Sequence, residues 1–209
     1  MQLFDISPPI SERLGVWPGD TTPQREVLLD MKDGANLTLS TLRATVHLGA
    51  HADGPNHYGR DARSIDEQPL ERYLGPCQVM HVEIKRGERV GPSQLTGEIH
   101  APRLLIATGT FPDPNDWNED FAALAPELID HLHERGVELV GIDTPSVDLF
   151  SDKELQSHHR FLAHDMAILE GLVLREVPDG LYELIALPLK LVGFDASPVR
   201  AVLKSLGSS

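Results

Sequence analysis

Short apolar or alternating runs, broken by Gly, Pro or charge before they can lengthen, recur along this chain of 209 residues, which holds 17 Gly and 16 Pro. Runs of that length suit strands and are too short for most helices. Leu42–His47 places Leu42, Ala44 and Val46 on one side and Arg43, Thr45 and His47 on the other, the period of a half-buried strand. Val79–Ile84, Arg103–Thr108, Val137–Ile142, Leu172–Val177 and Tyr182–Leu187 read as further strands. Two helices stand out. Pro126 to Arg135 has Pro in its first turn, Leu128, Ile129 and Leu132 at helical spacing, and Gly136 as a stop. A second begins at Ser151-Asp-Lys-Glu154, a capping-box pattern, and puts Leu155, His158 or His159, and Leu162 on one face. Many strands and few helices predict an α/β fold: residues 1–209 as a single domain with a central mixed β-structure, and no strict alternation of strand and helix.

Composition narrows the function classes. A formal net charge of −14 argues against sequence-independent nucleic-acid binding, which needs clustered Lys and Arg. No stretch has the length and apolarity of a membrane span, and the start, Met1-Gln-Leu-Phe-Asp-Ile-Ser-Pro-Pro9, lacks the features of a signal peptide. Cys77 is the only cysteine, so an intrachain disulfide is excluded and a reducing, cytoplasmic setting is expected. The Gly-x-Ser-x-Gly signature of a serine hydrolase is absent, and Ser205-Leu-Gly-Ser-Ser209 reads as a fraying tail.

Three of the ten histidines fall between His47 and His57, with Asp53 among them. His47 is expected at the end of a strand. Gly49, Gly54 and Pro55 then predict a tight irregular turn that brings His47, His51 and Asp53 to one point. Imidazole nitrogens and a carboxylate, with no thiolate, suit Zn²⁺, Mn²⁺ or Fe²⁺, and three protein ligands with an open position describe a catalytic centre better than a structural one. His57 is either a fourth ligand or a proton carrier beside the metal. Further along, a helix carrying His158 and His159 leads to Glu170, a carboxylate set in the apolar run from Ala167 to Leu174. A buried carboxylate needs a counter-charge, and a metal supplies one.

The pattern H-x-G-x-H-x-D-x-P-x-H, formed by His47, Gly49, His51, Asp53, Pro55 and His57, resembles the signature of the cyclase-like metal-dependent hydrolases. The His158…Glu170-Gly-Leu segment resembles the second half of the same family's site. Trp17-Pro-Gly-Asp20, Gly141–Asp148 and Leu191–Arg200 are similar to its formamidase branch, although Ala50 stands where many relatives have Thr. The resemblance implies a compact α/β domain of the swivelling β/β/α kind, working as a dimer or tetramer on a small-molecule substrate, with a homodimer expected. It implies two divalent ions, usually Zn²⁺ with Mn²⁺ as the alternative. His47, His51 and Asp53 would hold the first, Asp53 and His158 the second, and Glu170 both. His57 would carry protons and Trp17 would line the substrate pocket. A twelve-residue interval to Glu170 favours His158 over its neighbour His159. The implied reaction is hydrolysis of N-formyl-L-kynurenine to L-kynurenine and formate. The alternatives are a related hydrolase acting on a cyclic imide or lactam such as isatin and, from another class, a non-catalytic metal-binding module.

Overall fold

The computed structural model describes residues 1–206. Thirteen strands and two α-helices follow one another along the chain. The strands are β1 (Leu3–Asp5), β2 (Gln24–Leu29), β3 (Leu39–Arg43), β4 (His51–Asp53), β5 (Leu74–His81), β6 (Arg89–Val90), β7 (Arg103–Ala107), β8 (Ala123–Leu124), β9 (Leu139–Ile142), β10 (Ala167–Glu170), β11 (Gly180–Ile185), β12 (Ala196–Pro198) and β13 (Val202–Ser205). The helices are α1 (Pro126–His133) and α2 (Gln156–His164).

Nine strands form one mixed sheet in the order β1-β13-β11-β5-β7-β9-β10-β4-β12. The central strands β5, β7, β9 and β10 run parallel, and both wings are antiparallel. Parallel neighbours need crossovers, and α1 and α2 lie in the connections from β7 to β9 and from β9 to β10. Leu104 and Ile106 face the layer that holds Leu128, Ile129, Leu132 and Phe161 of the helices. Their neighbours Leu105 and Ala107 face a second cluster, around which the sheet curls, with Ala52, Val79, Leu169, Leu184 and Leu203. Strands buried on both faces read as continuous apolar runs, and β7 shows this.

The α/β class, the central mixed β-structure and the first helix match expectation, while five local readings are corrected. The strand predicted over Leu42–His47 is β3, which ends at Arg43 and is exposed throughout. Beyond it Thr45 donates its N–H to Thr21 and its hydroxyl accepts from the N–H of His47, so the chain bends before His47. Leu172–Val177 forms no strand, because Gly171, at φ +64°, turns the chain out of the sheet after Glu170. The second helix starts at Gln156, after Leu155 in the left-handed region at φ 50°. Its N–H groups are capped from outside the expected box, as Asp148 accepts from Ser157 and His158. The supposed irregular turn between His47 and His57 contains a true strand, β4. At the C-terminus, Ser205 closes β13 with its N–H on the Gln2 carbonyl, so the predicted fraying tail does not include it; residues 207–209 lie outside the described residues.

Candidate metal centre

The centre grows from β4, which lies between β10 and β12. Side chains two apart on a strand share a face. His51 and Asp53 therefore point together into the site while Ala52 packs into the curled core. Register places Glu170 of β10 directly opposite His51, and Ala196 of β12 opposite Asp53. From the other side α2 brings His158 in its first turn, buried, while His159 is exposed. Of the two neighbouring histidines, only His158 faces Asp53 and Glu170. His47 arrives from the bend after β3, and His57 from the short 3₁₀ turn Pro55–His57.

All five expected ligands converge. Asp53 Oδ1 is 3.2 Å from His47 Nδ1 and 3.6 Å from His51 Nε2, and Asp53 Oδ2 is 3.5 Å from His158 Nε2. Glu170 Oε2 lies 3.3 Å from His51 Nε2, and Glu170 Oε1 lies 3.6 Å from His158 Nε2. Each inner histidine is oriented by a bond from its other nitrogen. His51 Nδ1 meets the Gly49 carbonyl at 2.8 Å, and His158 Nδ1 meets Asp148 Oδ2 at 2.8 Å. Asp148 is itself held by Arg89, which also bonds Asp152. Glu170 Oε1 accepts the N–H of Val147 at 2.7 Å.

The donor set fits a divalent cation. His51 Nε2 and both carboxylate oxygens of Asp53 are buried with no hydrogen-bond partner. Burying unpaired carboxylate oxygens costs several kcal/mol, and a metal ion bound among imidazole and carboxylate ligands removes that cost. The electrostatics agree. Burial by itself pushes the His47 imidazole down, but Asp53, Asp195 and Glu170 outweigh it and raise it to about 9. His158 rises to about 10 against its own burial, through Asp148, Asp53 and Glu170. Burial likewise opposes ionisation of Asp53, yet the surrounding histidines hold its carboxyl well below the ordinary range. His57 moves the other way, since burial and the charges of His47 and His158 lower it. The carboxylates of the centre therefore favour positive charge on His47 and His158, while His57 is biased towards its neutral form.

A cavity of about 320 Å³ opens onto these groups, lined by Leu14, Trp17, Phe111, Trp117, Leu155 and Leu172 together with the histidines and Glu170. Trp17 lines this cavity, tilted against Phe150 at 5.0 Å and edge-on to Trp117 at 5.6 Å. Asp143 also borders the cavity, but its carboxylate accepts from the N–H of Thr108 and Gly109 and from the Thr108 hydroxyl. Sequence reasoning marked the segments that hold Asp148 and Asp195 only as similar to the family and gave neither residue a role, and it missed the aromatic wall from Phe111 and Trp117, which lies far along the chain from the motif.

The profile of the Cyclase family matches residues 4–149, and the chain belongs to that family. It is 46% identical over 208 residues to kynurenine formamidase from Bordetella petrii, with 99% of each chain covered. A structure described as a predicted metal-dependent hydrolase from Bacillus stearothermophilus superposes with a TM-score of 0.80 at 26% identity, covering 97% of both chains. Isatin hydrolase A from Labrenzia aggregata, bound to benzyl benzoate, shares the fold with a TM-score of 0.83 at 22% identity, over 97% of this chain and 93% of that one.

Proposed function

We infer that this chain is a metal-dependent amidohydrolase that cleaves N-formyl-L-kynurenine to L-kynurenine and formate, a step of tryptophan degradation by the kynurenine pathway. The observation that carries the reading is the convergence of three histidines and two carboxylates, with orphaned ligand atoms, at the floor of an aromatic pocket. Identity of 46% along essentially the whole chain to a kynurenine formamidase supports the substrate. Residues 1–209 are read as one hydrolase domain, because residues from His47 to Glu170 build one centre on one sheet.

His47, His51 and Asp53 would hold one ion and Asp53 and His158 a second, with Glu170 contacting both. Zinc is the expected metal, and manganese suits the same donors. Bound there, divalent ions lower the pKa of water towards neutrality and polarise the formyl oxygen. The chain's own groups do the rest. His57, at the pocket rim, accepts a proton as water oxygen attacks the formyl carbon. It then gives that proton to the aniline nitrogen as the C–N bond breaks, so the nitrogen leaves as a neutral amine and not as an anion. Trp17 offers a flat apolar face to the substrate ring, and the walls around it exclude bulk water.

Turnover of N-formyl-L-kynurenine by purified protein, before and after chelation with Zn²⁺ and Mn²⁺ added back, tests this reading. Activity lost with chelator and restored by metal is expected. No turnover with metal bound would discard the substrate and turn attention to cyclic imides such as isatin, whose hydrolase shares the fold. A non-catalytic metal module fits less well, since a closed storage site needs neither His57 nor an open aromatic pocket.

The homodimer reading draws support from the β2–β3 hairpin. Its residues are exposed on both faces, including Val27, Leu28, Leu29, Leu39 and Leu42, and a bare two-stranded ribbon is marginal in water. Among the described residues no helix is long and apolar enough to cross a membrane, and the cytoplasm is the proposed setting.

A further inference from the structure

We propose that Asp195 is a positioning residue that fixes the imidazoles of both His47 and His57, coupling a metal ligand to the proton carrier through one carboxylate oxygen. The proposal rests on the metal-centre reading above and assigns work to a residue outside its motif.

Asp195 Oδ2 lies 3.0 Å from His47 Nε2 and 3.5 Å from His57 Nδ1. The two rings lie 4.2 Å apart, inclined at 45°. A carboxylate that accepts from Nε2–H of His47 fixes that tautomer and leaves the Nδ1 lone pair directed at Asp53, 3.2 Å away. The arrangement completes a set. His51 is fixed by Gly49 and His158 by Asp148, and without Asp195 only His47 would be free to turn its ring. The same oxygen lies 3.5 Å from Nδ1 of His57, a charge contact that favours a proton on that nitrogen and leaves Nε2 for the reacting atoms.

The backbone around Asp195 keeps it in place independently of its carboxylate. Its carbonyl accepts the N–H of Gly54 at 2.8 Å, and the Phe194 carbonyl accepts the N–H of Ile65 at 3.0 Å. The next residue, Ala196, opens β12 beside Asp53. The segment is thus pinned to both ends of the loop that bears His57. The side chain is 47% exposed, so an isosteric replacement leaves the core packing untouched.

Asp195→Asn and Asp195→Ala, each in the wild-type and His57→Ala backgrounds, test the assignment. Zinc affinity by chelator competition reads the His47 arm without any substrate and is expected to fall about 10–100-fold in both backgrounds. The ¹⁵N imidazole spectrum of the zinc-loaded protein is expected to show the His47 Nε2–H signal losing its carboxylate-bonded shift. The His57 arm appears in turnover. General acid–base catalysis contributes about 10²–10⁴-fold, and loss of its positioning partner is expected to lower kcat about tenfold with KM little changed. That decrement should vanish when His57 is already alanine. Asp195→Asn with wild-type zinc affinity and an unchanged His47 spectrum would overturn the ligand arm. An equal kcat decrement with and without His57 would overturn the other. Because the affinity and spectral measurements need no substrate, a wrong substrate assignment leaves them standing.

Discussion

Gly171 carries the chain out of β10 directly after Glu170 at φ +64°, and a Cβ there would stand 2.2 Å from the Gly49 carbonyl oxygen and 2.8 Å from its carbon. The obstacle is backbone, and it is the same oxygen that orients His51 through Nδ1. Gly171→Ala therefore carries two costs. A left-handed conformation costs a residue with a Cβ about 1–2 kcal/mol, and forcing a methyl into a filled site costs about 1–3 kcal/mol more. Gly136 separates them: it has φ +77° at the end of α1, and its added Cβ would meet nothing within 4 Å. With each kcal/mol worth about 2–4 °C at this chain length, Gly136→Ala should lower Tm by about 2–8 °C and Gly171→Ala by about 4–20 °C. Urea unfolding of the metal-free proteins, checked for constant m-values, gives the difference without interference from ion loss. Zinc affinity, measured separately, should fall only for Gly171→Ala, because only there must the Gly49 carbonyl move. Equal destabilisation by the two variants, with equal zinc affinity, would refute the close-approach reasoning.

His57→Ala should keep its metal and lose about 10²–10⁴-fold in turnover, whereas His51→Ala should lose metal; inductively coupled plasma analysis beside kinetics checks both, and an inactive His57 variant without metal contradicts the roles. Because His51 and His158 are oriented by Gly49 and Asp148, the chelated protein should keep its circular dichroism, and zinc at a hundredfold excess over its Kd should add about 2.7 kcal/mol of stability; unfolding on chelation would show that the ion builds the site. Asp165, left-handed at the end of α2, has its carboxyl held below the ordinary range by Arg72, then Arg63, against some desolvation. A lowered folded pKa stabilises above the unfolded value near 3.9 and loses that contribution as pH falls through the folded value. Asp165→Asn, which tolerates the same backbone, should therefore cost about 0–1 kcal/mol at pH 7 and nothing at acid pH, and a cost that persists in acid excludes the ion pair as its source. For the hairpin, Leu29→Glu with Leu39→Glu, which face each other in register, should shift sedimentation from dimer towards monomer; a monomeric wild type removes the dimer proposal.

What the sequence disclosed, and what it hid, follows from where each signal resides. The first helix was legible because Pro126 and Gly136 bracket it and its apolar spacing is local. β7 and β9 were legible because strands buried on both faces are apolar throughout. β4 was hidden because it is three residues long and two of them are His and Asp. Nothing local makes it a strand; pairing with β10 and β12 on its two sides does. The strand expected to reach His47 stops short for the opposite reason: alternation continues to His47, but register with β2 ends at Arg43.

The proposed ligands could be picked out because a metal needs particular atoms, and those residue types cluster at recognisable spacing around Gly and Pro. Their supports were not. A ring nitrogen can be satisfied by any acceptor within reach, and this fold uses a backbone carbonyl for His51, a helix-capping aspartate for His158, and Asp195 for His47. Three different acceptors from three separate stretches leave no common pattern to search for. Yet their geometric effect is the same: each fixes one nitrogen as a donor and turns the other towards Asp53. The motif thus names atoms able to hold a metal, while the sheet order, which sets β10 and β12 on either side of β4, determines whether those atoms point at one place.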